Sequence, residues 1–394
     1  MTDRQLQLVE GQEADEGIHN VAGQVAQAFD PARLTQARHL AELTKRSLAA
    51  EVGVSAAAVG QWEAGMAPPR SDHVRRLAEV LQVPVGFFAS GRRYQRLDTA
   101  DAHFRSLRST PAALRAKAIA FTEQVWELTY ALERRVRLPD VDLPGFSGGE
   151  VEPDGYAGDP RAAAQYLRRH WGLGSGRIPR LVRTMEQHGI VVVGPIPFAG
   201  DNTKTAKVDA FSTSRLPRPI VVVSPDRADD VFRHRFTVAH ELGHLMLHGD
   251  ASPGDLAQER EADRFAAEFL TPTDSITPEL PARLNIPQLE QVARAWGVSI
   301  DSLIYRCHEL GRISESAYRR AFQRLNQHRK LGLLPKEPIV GYPGEVPVML
   351  SQAYDVAEQN GLTLAALAHE LQLPLSRVRF LLGQPDSRPA LTIV

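Results

Sequence analysis

The stretch FTVAHELGHLMLHGD, residues 236–250, constrains the fold more than any other part of the chain. Its apolar residues recur at helical spacing, and His240 and His244 stand four residues apart. Both imidazoles therefore project from one face of a helix, and Glu241 lies one step around it. Two histidines and a carboxylate so arranged are typical of a site that binds a metal and activates water. The segment predicts a helix that carries a metal site.

A catalytic metal needs a third protein ligand and an open fourth position. The stretch QEREADRFAAEFLTP, residues 258–272, places carboxylates on a second predicted helix. Glu259 and Asp263 share a face, so Glu259 can bind the metal while Asp263 orients a histidine through its other ring nitrogen. Glu261 points elsewhere and is the second candidate for the third ligand. We therefore expect the two helices to pack together.

The pairing of RFTVAHELGHLMLH with EREADRFAAEFLTP resembles the ImmA/IrrE family of zinc metallopeptidases, over about residues 155–330. The preceding VDAFSTSRLPRPIVVVSP looks like the strand and hairpin of that family. The resemblance implies His240, His244 and Glu259 as zinc ligands, Glu241 as general base, and a protein substrate that is often a partner regulator. Two histidines and one carboxylate can also hold manganese or iron. We further expect an exposed strand at residues 208–213, which could receive an extended peptide by β-addition.

A second motif, LTKRSLAAEVGVSAAAVGQWEAGMAPP, occupies residues 43–69. Leu48 and Val52 line one helix face, Gly53 permits a tight turn, and Ser55 can cap the next helix. That helix bears Val59 and is presented outward. An exposed helix after such a turn can lie in the major groove of DNA.

The segments LTQAR, LAAEVGVS, QWEAG and LAEVLQVPVGFF resemble the Xre family of helix-turn-helix domains, over about residues 31–90. The resemblance implies an ion pair between Arg38 and Glu63, a double-stranded DNA operator as partner, and a homodimer. Alanine and glycine offer no hydrogen bonds to base edges, so readout would rest on Gln61, Lys45 and DNA shape. The residues predicted to face DNA are Lys45, Arg46, Ser55, Ala56, Ala57 and Gln61.

Charge and cysteine content restrict the alternatives. The net charge of -1 argues against a uniformly basic nucleic-acid coat. Residues 31–93 nevertheless carry nine Lys and Arg against five Asp and Glu, whereas residues 1–30 carry one Arg against six acids. Cys307 is the only cysteine, which excludes an intramolecular disulfide and a multi-cysteine zinc site. We find no membrane-length apolar run and no signal segment, and we expect a cytoplasmic protein with no membrane partner.

The fold class predicted is a multidomain, mainly α protein with an α+β zincin-like domain, in which a small sheet accompanies the HExxH helix. A long amphipathic helix is expected within residues 109–139, and IVVVGPIPF and RPIVVVSP are expected to be strands. The predicted segments are an acidic flexible arm at 1–30, the helix-turn-helix domain at 31–93, a connecting helix at 94–139, a linker at 140–160, the metallopeptidase domain at 161–332, and a helical C-terminal module at 333–394.

Three functions fit these motifs. The first is a DNA-binding regulator whose metallopeptidase domain cleaves a partner regulator or the chain itself. The second is a non-proteolytic repressor whose metal domain is a sensor. The third is an interaction protein of a toxin-antitoxin or phage-defence system, with neither activity essential.

Overall fold

The chain divides into two units that are not continuous in sequence. The computed structural model describes residues 21–92, 95–97, 103–104, 111–146, 158–194, 210–223, 230–249, 255–283, 285–334 and 336–384, with 103–104 described by backbone alone. The first unit comprises Met1–Leu97, Pro111–Arg137 and Leu350–Val394, and the second comprises Asp98–Thr110 and Leu138–Met349. Most of the predicted acidic arm and the middle of the predicted linker lie outside the described residues.

Four short helices open the first unit, after a helical stretch at residues 21–27. They are α1 (Pro31–Leu40), α2 (Lys45–Val52), α3 (Ala56–Glu63) and α4 (Ser71–Leu81). The Thr44 side chain accepts a hydrogen bond at the start of α2, and Gly53 ends that helix at φ 80°. The Ser55 hydroxyl then accepts the backbone N–H of Ala58. The expected helix-turn-helix is confirmed, because its caps and its left-handed turn are all in place.

Helix α5 (Ala112–Glu133) lies at the centre of the first unit. It was expected to be an amphipathic connecting helix, but every residue from Lys117 to Thr129 is buried. Its polar side chains are buried in pairs: Glu127 binds Arg33 of α1, and Lys117 binds Glu42. A polar residue on this helix therefore marks a buried contact rather than a solvated face.

The C-terminal helices α14 (Met349–Gln359), α15 (Leu364–Leu371) and α16 (Leu375–Leu381) repeat the spacing of α1 to α3. Thr363 caps α15 as Thr44 caps α2, and Gln372 ends it in the left-handed conformation at φ 52°. The third helix is used differently. Phe380 packs on Phe121 of α5, with ring centroids 6.1 Å apart. These helices thus form a second helix-turn-helix whose last helix packs within the first unit, instead of a separate module.

The second unit holds the sheet and the remaining helices. Its helices are α6 (Pro160–His170), α7 (Leu181–Gln187), α8 (Val231–Leu247), α9 (Leu256–Leu270), α10 (Thr273–Ile276), α11 (Ile286–Trp296), α12 (Ile300–Glu309) and α13 (Glu315–Lys330). Its core joins apolar residues of the sheet, of α6 to α9 and of α11 to α13. The mainly α organisation with a small sheet beside the HExxH helix is confirmed. None of the described helices is long and apolar enough to cross a membrane.

The sheet has four strands in the order β1-β3-β4-β2. They are β1 (His103–Phe104), β2 (Val191–Val193), β3 (Ala210–Thr213) and β4 (Ile220–Val223). The hairpin expected between β3 and β4 is present, since the two strands pair antiparallel. The expectation of an exposed strand at 208–213 is wrong for its described part, because β1 pairs with β3 on the side away from β4. Residues 208 and 209 lie outside the described residues.

A buried arginine joins four segments of the second unit. Arg235 of α8 is 1 % exposed. It donates to the carbonyl of Gly297, in the turn between α11 and α12, and to the carbonyl of Ile178. It also forms an ion pair with the buried Glu345. The Glu345 carboxylate accepts the backbone N–H of Leu181, at the start of α7. The orientation of α8 is therefore fixed by groups distant from it in sequence.

Replacing Glu345 with Gln is expected to destabilise the protein by about 3–5 kcal/mol, because Arg235 would become a buried charge without its counter-ion. Chemical denaturation followed by circular dichroism measures this. Glu290 forms an exposed i,i+4 pair with Arg294, so Glu290→Gln should cost less than about 1 kcal/mol. Equal losses from the two substitutions would contradict the role assigned to the buried pair.

Candidate metal centre and nucleic-acid interface

Helices α8 and α9 approach closely at Gly243, the glycine of HELGH. A Cβ built at this position would lie 3.0 Å from Phe265 Cδ1 and 3.2 Å from the Ala262 Cα. Both distances are tighter than ordinary van der Waals contact, so a larger residue would push the two helices apart. The glycine thus permits the approach that brings the carboxylates of α9 to the histidines of α8.

Three side chains converge between these helices: His240, His244 and Glu259. The Nε2 atoms of the two histidines are 3.1 Å apart. The carboxylate oxygens of Glu259 lie 3.6 Å from His240 Nε2 and 3.4 Å from His244 Nε2. A tetrahedral zinc with bonds of about 2.0–2.2 Å separates its ligand atoms by roughly 3.3–3.6 Å. The three donors therefore fit a small divalent metal in both number and spacing.

The protonation of this cluster suits a metal as well. Both histidines are buried, and the Glu259 side chain is 25 % exposed. Burial would raise the pKa of Glu259, but hydrogen bonds and charge from His240 and His244 outweigh it and lower the pKa to about 2. Glu259 is therefore ionised at neutral pH, as a metal-binding carboxylate must be. The structure brings Glu259, rather than Glu261, to the two histidines.

Each histidine has a partner for its other ring nitrogen. His240 Nδ1 lies 2.8 Å from an Asp263 carboxylate oxygen. His244 Nδ1 lies 3.0 Å from His248 Nδ1, and His248 Nε2 lies 2.9 Å from Glu261. Such contacts fix the tautomer and ring orientation of a metal-binding histidine. One ring is thus oriented by a carboxylate directly, and the other through a second histidine.

Glu241 is fully buried beside the sheet. Its carboxylate oxygen Oε2 accepts a hydrogen bond of 2.8 Å from the hydroxyl of Ser212, the third residue of β3. A serine hydroxyl in this position holds the carboxylate in one orientation. The strand β3 therefore supports the candidate base directly.

The sequence did not indicate Ser212 or His248, and it offered Glu261 only as an alternative third ligand. Residue 212 is one polar residue in a short predicted strand, with no spacing that links it to Glu241. His248 lies one turn beyond His244, and this spacing is the signal that could have identified it as a partner of that candidate ligand. Cys307 is not part of this cluster, and burial raises the pKa of its thiol to about 11.

The residues predicted to face DNA lie on α2, on α3 and at the cap between them. Lys45, Arg46, Ser55, Ala56, Ala57 and Gln61 are all exposed. The expected ion pair is present, with Arg38 Nε 2.6 Å from Glu63. Lys45 also lies 3.1 Å from Glu63, so this lysine is partly neutralised within the protein. Arg46 is the other cation of the predicted set.

Replacing His248 with Gln is expected to weaken zinc binding about 10–100-fold, because the His244 ring loses its partner. Competition with a chromophoric zinc chelator measures the affinity, and the melting temperature without metal shows whether the fold is intact. His308 is a half-exposed histidine paired with Glu315, and His308→Gln should leave zinc binding unchanged. A zinc affinity within twofold of that of the unsubstituted chain would show that His248 does not support the metal centre.

Comparison with known protein families matches two segments of the chain. Residues 34–88 match the model of a helix-turn-helix family, and residues 185–308 match that of the IrrE N-terminal-like domain in the Peptidase_M78 family. A search of curated proteins found no match. The first match contains α2 and α3, and the second contains His240, His244 and Glu259. The chain is thus a fusion of a helix-turn-helix domain with an IrrE N-terminal-like domain.

Proposed function

We propose that this protein is a DNA-binding transcriptional regulator with a zinc-dependent metalloendopeptidase domain, which cleaves a partner regulator or the chain itself. The observation that carries the proposal is the convergence of His240, His244 and Glu259 beside the buried Glu241. Three ligands leave a fourth position available for water or substrate, as catalytic zinc sites require. Two histidines and one carboxylate can also hold manganese or iron, but zinc is favoured by the ligand types.

Zinc in such a site supplies Lewis acidity and lowers the pKa of bound water. The other requirement is a base, and we assign this role to Glu241, which follows His240 in the HELGH motif. Its carboxylate can take a proton from the attacking water and return it to the leaving amine nitrogen. The Ser212 hydroxyl orients the carboxylate. Asp263 and His248 hold the histidine rings, so the cluster is ordered before substrate arrives.

The front domain supports DNA binding as the second half of the function. The second helix of its motif, α3, presents small exposed residues that allow close approach to a groove. Ala56 and Ala57 can contact thymine methyl groups, while Gln61 can hydrogen-bond to a base edge. A homodimer on a double-stranded DNA operator, acting in the cytoplasm, completes the proposal.

Glu241→Gln is expected to keep one zinc per chain and to lower peptide cleavage by at least about 100-fold, because proton transfer is lost. The substrate is a peptide library prepared from digested cellular protein, read by mass spectrometry, together with the intact mass of the chain. Glu290→Gln serves as a control on an exposed glutamate of the same unit. Undiminished cleavage by Glu241→Gln, or a chain that binds no zinc, would be incompatible with the proposal.

Arg46→Ala is expected to weaken binding to mixed-sequence duplex DNA several-fold and to reduce the slope of log affinity against log salt by about 1. Fluorescence anisotropy from 50 to 200 mM salt, roughly the range over which phosphate contacts are screened, gives both quantities. Arg319 is exposed and lies in the second unit, so Arg319→Ala should change neither. The absence of salt-dependent DNA binding would contradict the DNA-binding part of the proposal.

A cavity favours the sensor as a second candidate function. It has a volume of about 1010 Å³ and lies in the second unit, with Phe232, Phe236, Tyr305 and Arg294 among its lining residues. Asp263, which contacts His240, also lines it. A small molecule there could change the metal centre without any cleavage. In that case Glu241→Gln would leave regulation of DNA binding intact, whereas His240→Ala would abolish it.

A further inference from the structure

We propose that the strand at residues 103–104 is an internal ligand of a peptide-binding edge on β3, so that an extended peptide must compete with the chain's own β1. The pairing is independent of the metal. The statement that the displaced strand guards a substrate site rests on the proposed peptidase function. The occupant of this edge of β3 is an extended segment of the chain itself, residues 103–104.

The pairing is antiparallel and in a defined register. His103 lies opposite Ser212, and Phe104 lies opposite Phe211. Residues 98–110 belong to the second unit, although the chain on both sides of them, up to Leu97 and from Pro111, belongs to the first. His103 and Phe104 thus contribute a strand to the sheet of the second unit, although in sequence they lie between two segments of the first.

The edge that β1 covers is the one beside the candidate base. Ser212 is the register partner of His103, and its side chain donates to Glu241. An extended chain paired at this position thus runs along the strand that orients the base. All four residues of β3 are buried. Without β1, one side of this strand would present unpaired backbone groups, which readily accept another extended chain.

A two-residue strand is a displaceable occupant. Within the described residues it pairs with β3 at two positions, so its hold on β3 depends mainly on being part of the same molecule. Attachment through a short segment corresponds to an effective concentration in the millimolar range. A free peptide with micromolar intrinsic affinity would then compete poorly until the internal strand is released.

The first experiment measures peptide competition by fluorescence anisotropy on the full chain. The probe is a fluorescein-labelled peptide of residues 99–108, TADAHFRSLR, and every protein carries Glu241→Gln with zinc, so that binding needs no turnover. Phe104→Pro removes the backbone N–H and is incompatible with a paired strand. It should tighten peptide binding at least tenfold. Phe104→Ala keeps the backbone N–H and should stay within twofold of the parent chain.

Equal affinities for the proline variant and the parent chain would overturn the proposal, provided that melting temperature and zinc content show both to be folded. The same gain from Phe104→Ala would overturn it too, since the effect would then not depend on backbone pairing.

The second experiment uses the unsubstituted chain and therefore does not depend on the fold of a variant. Trypsin cleavage after Arg105 is followed by mass spectrometry, with and without excess peptide. The peptide carries Arg105→Gln and Arg108→Gln so that trypsin does not digest it. A several-fold faster cleavage with peptide supports displacement of β1. A cleavage rate that does not change when peptide is added overturns the proposal. Peptide competition without any peptidase activity would defeat only the proposed function, whereas activity without competition would defeat only this inference.

Discussion

The close approach of α8 and α9 is the constraint on which the rest of the second unit depends. Glycine at position 243 leaves space for Phe265 and Ala262, because a Cβ there would lie 3.0 Å from the first and 3.2 Å from the second. Because α9 is held this near, Glu259 reaches His240 and His244 across the gap. The same approach brings Asp263 and Glu261 to their histidine partners. One missing side chain therefore sets the positions of both the candidate ligands and the groups that orient them.

Several buried charges among the described residues are held in ion pairs. Arg235 joins α8 to the start of α7 through Glu345, and α5 carries buried partners for Arg33 and Glu42 in the first unit. Burying a charge is costly unless its counter-ion and hydrogen bonds are buried with it. Each pair therefore accepts only one arrangement of its helices. These pairs supply specificity of packing, where apolar contacts alone would allow helices to slide.

The two helix-turn-helix arrays of the first unit show how the same local structure serves different ends. In the front array, the third helix presents small and polar residues such as Ala57 and Gln61 to solvent. In the C-terminal array, Phe380 occupies the place equivalent to Gln61 and packs on Phe121 of α5. Arg377 lies over both of these rings. Helix spacing alone therefore does not identify a DNA-reading helix, because the side chains on its outer face decide what it binds.

The sequence by itself determined the local structure: the caps and the glycine turn of the helix-turn-helix, the helical spacing of His240 and His244, and the strands of β-branched residues. These features depend on neighbours a few residues apart, where spacing and residue type suffice. Only the tertiary structure decided which carboxylate joins the histidines, that Ser212 supports Glu241, that residues 117–129 of α5 are buried on all sides, and that β1 covers β3. These outcomes depend on which distant segments pack together, and one buried contact can override the local preference of each segment.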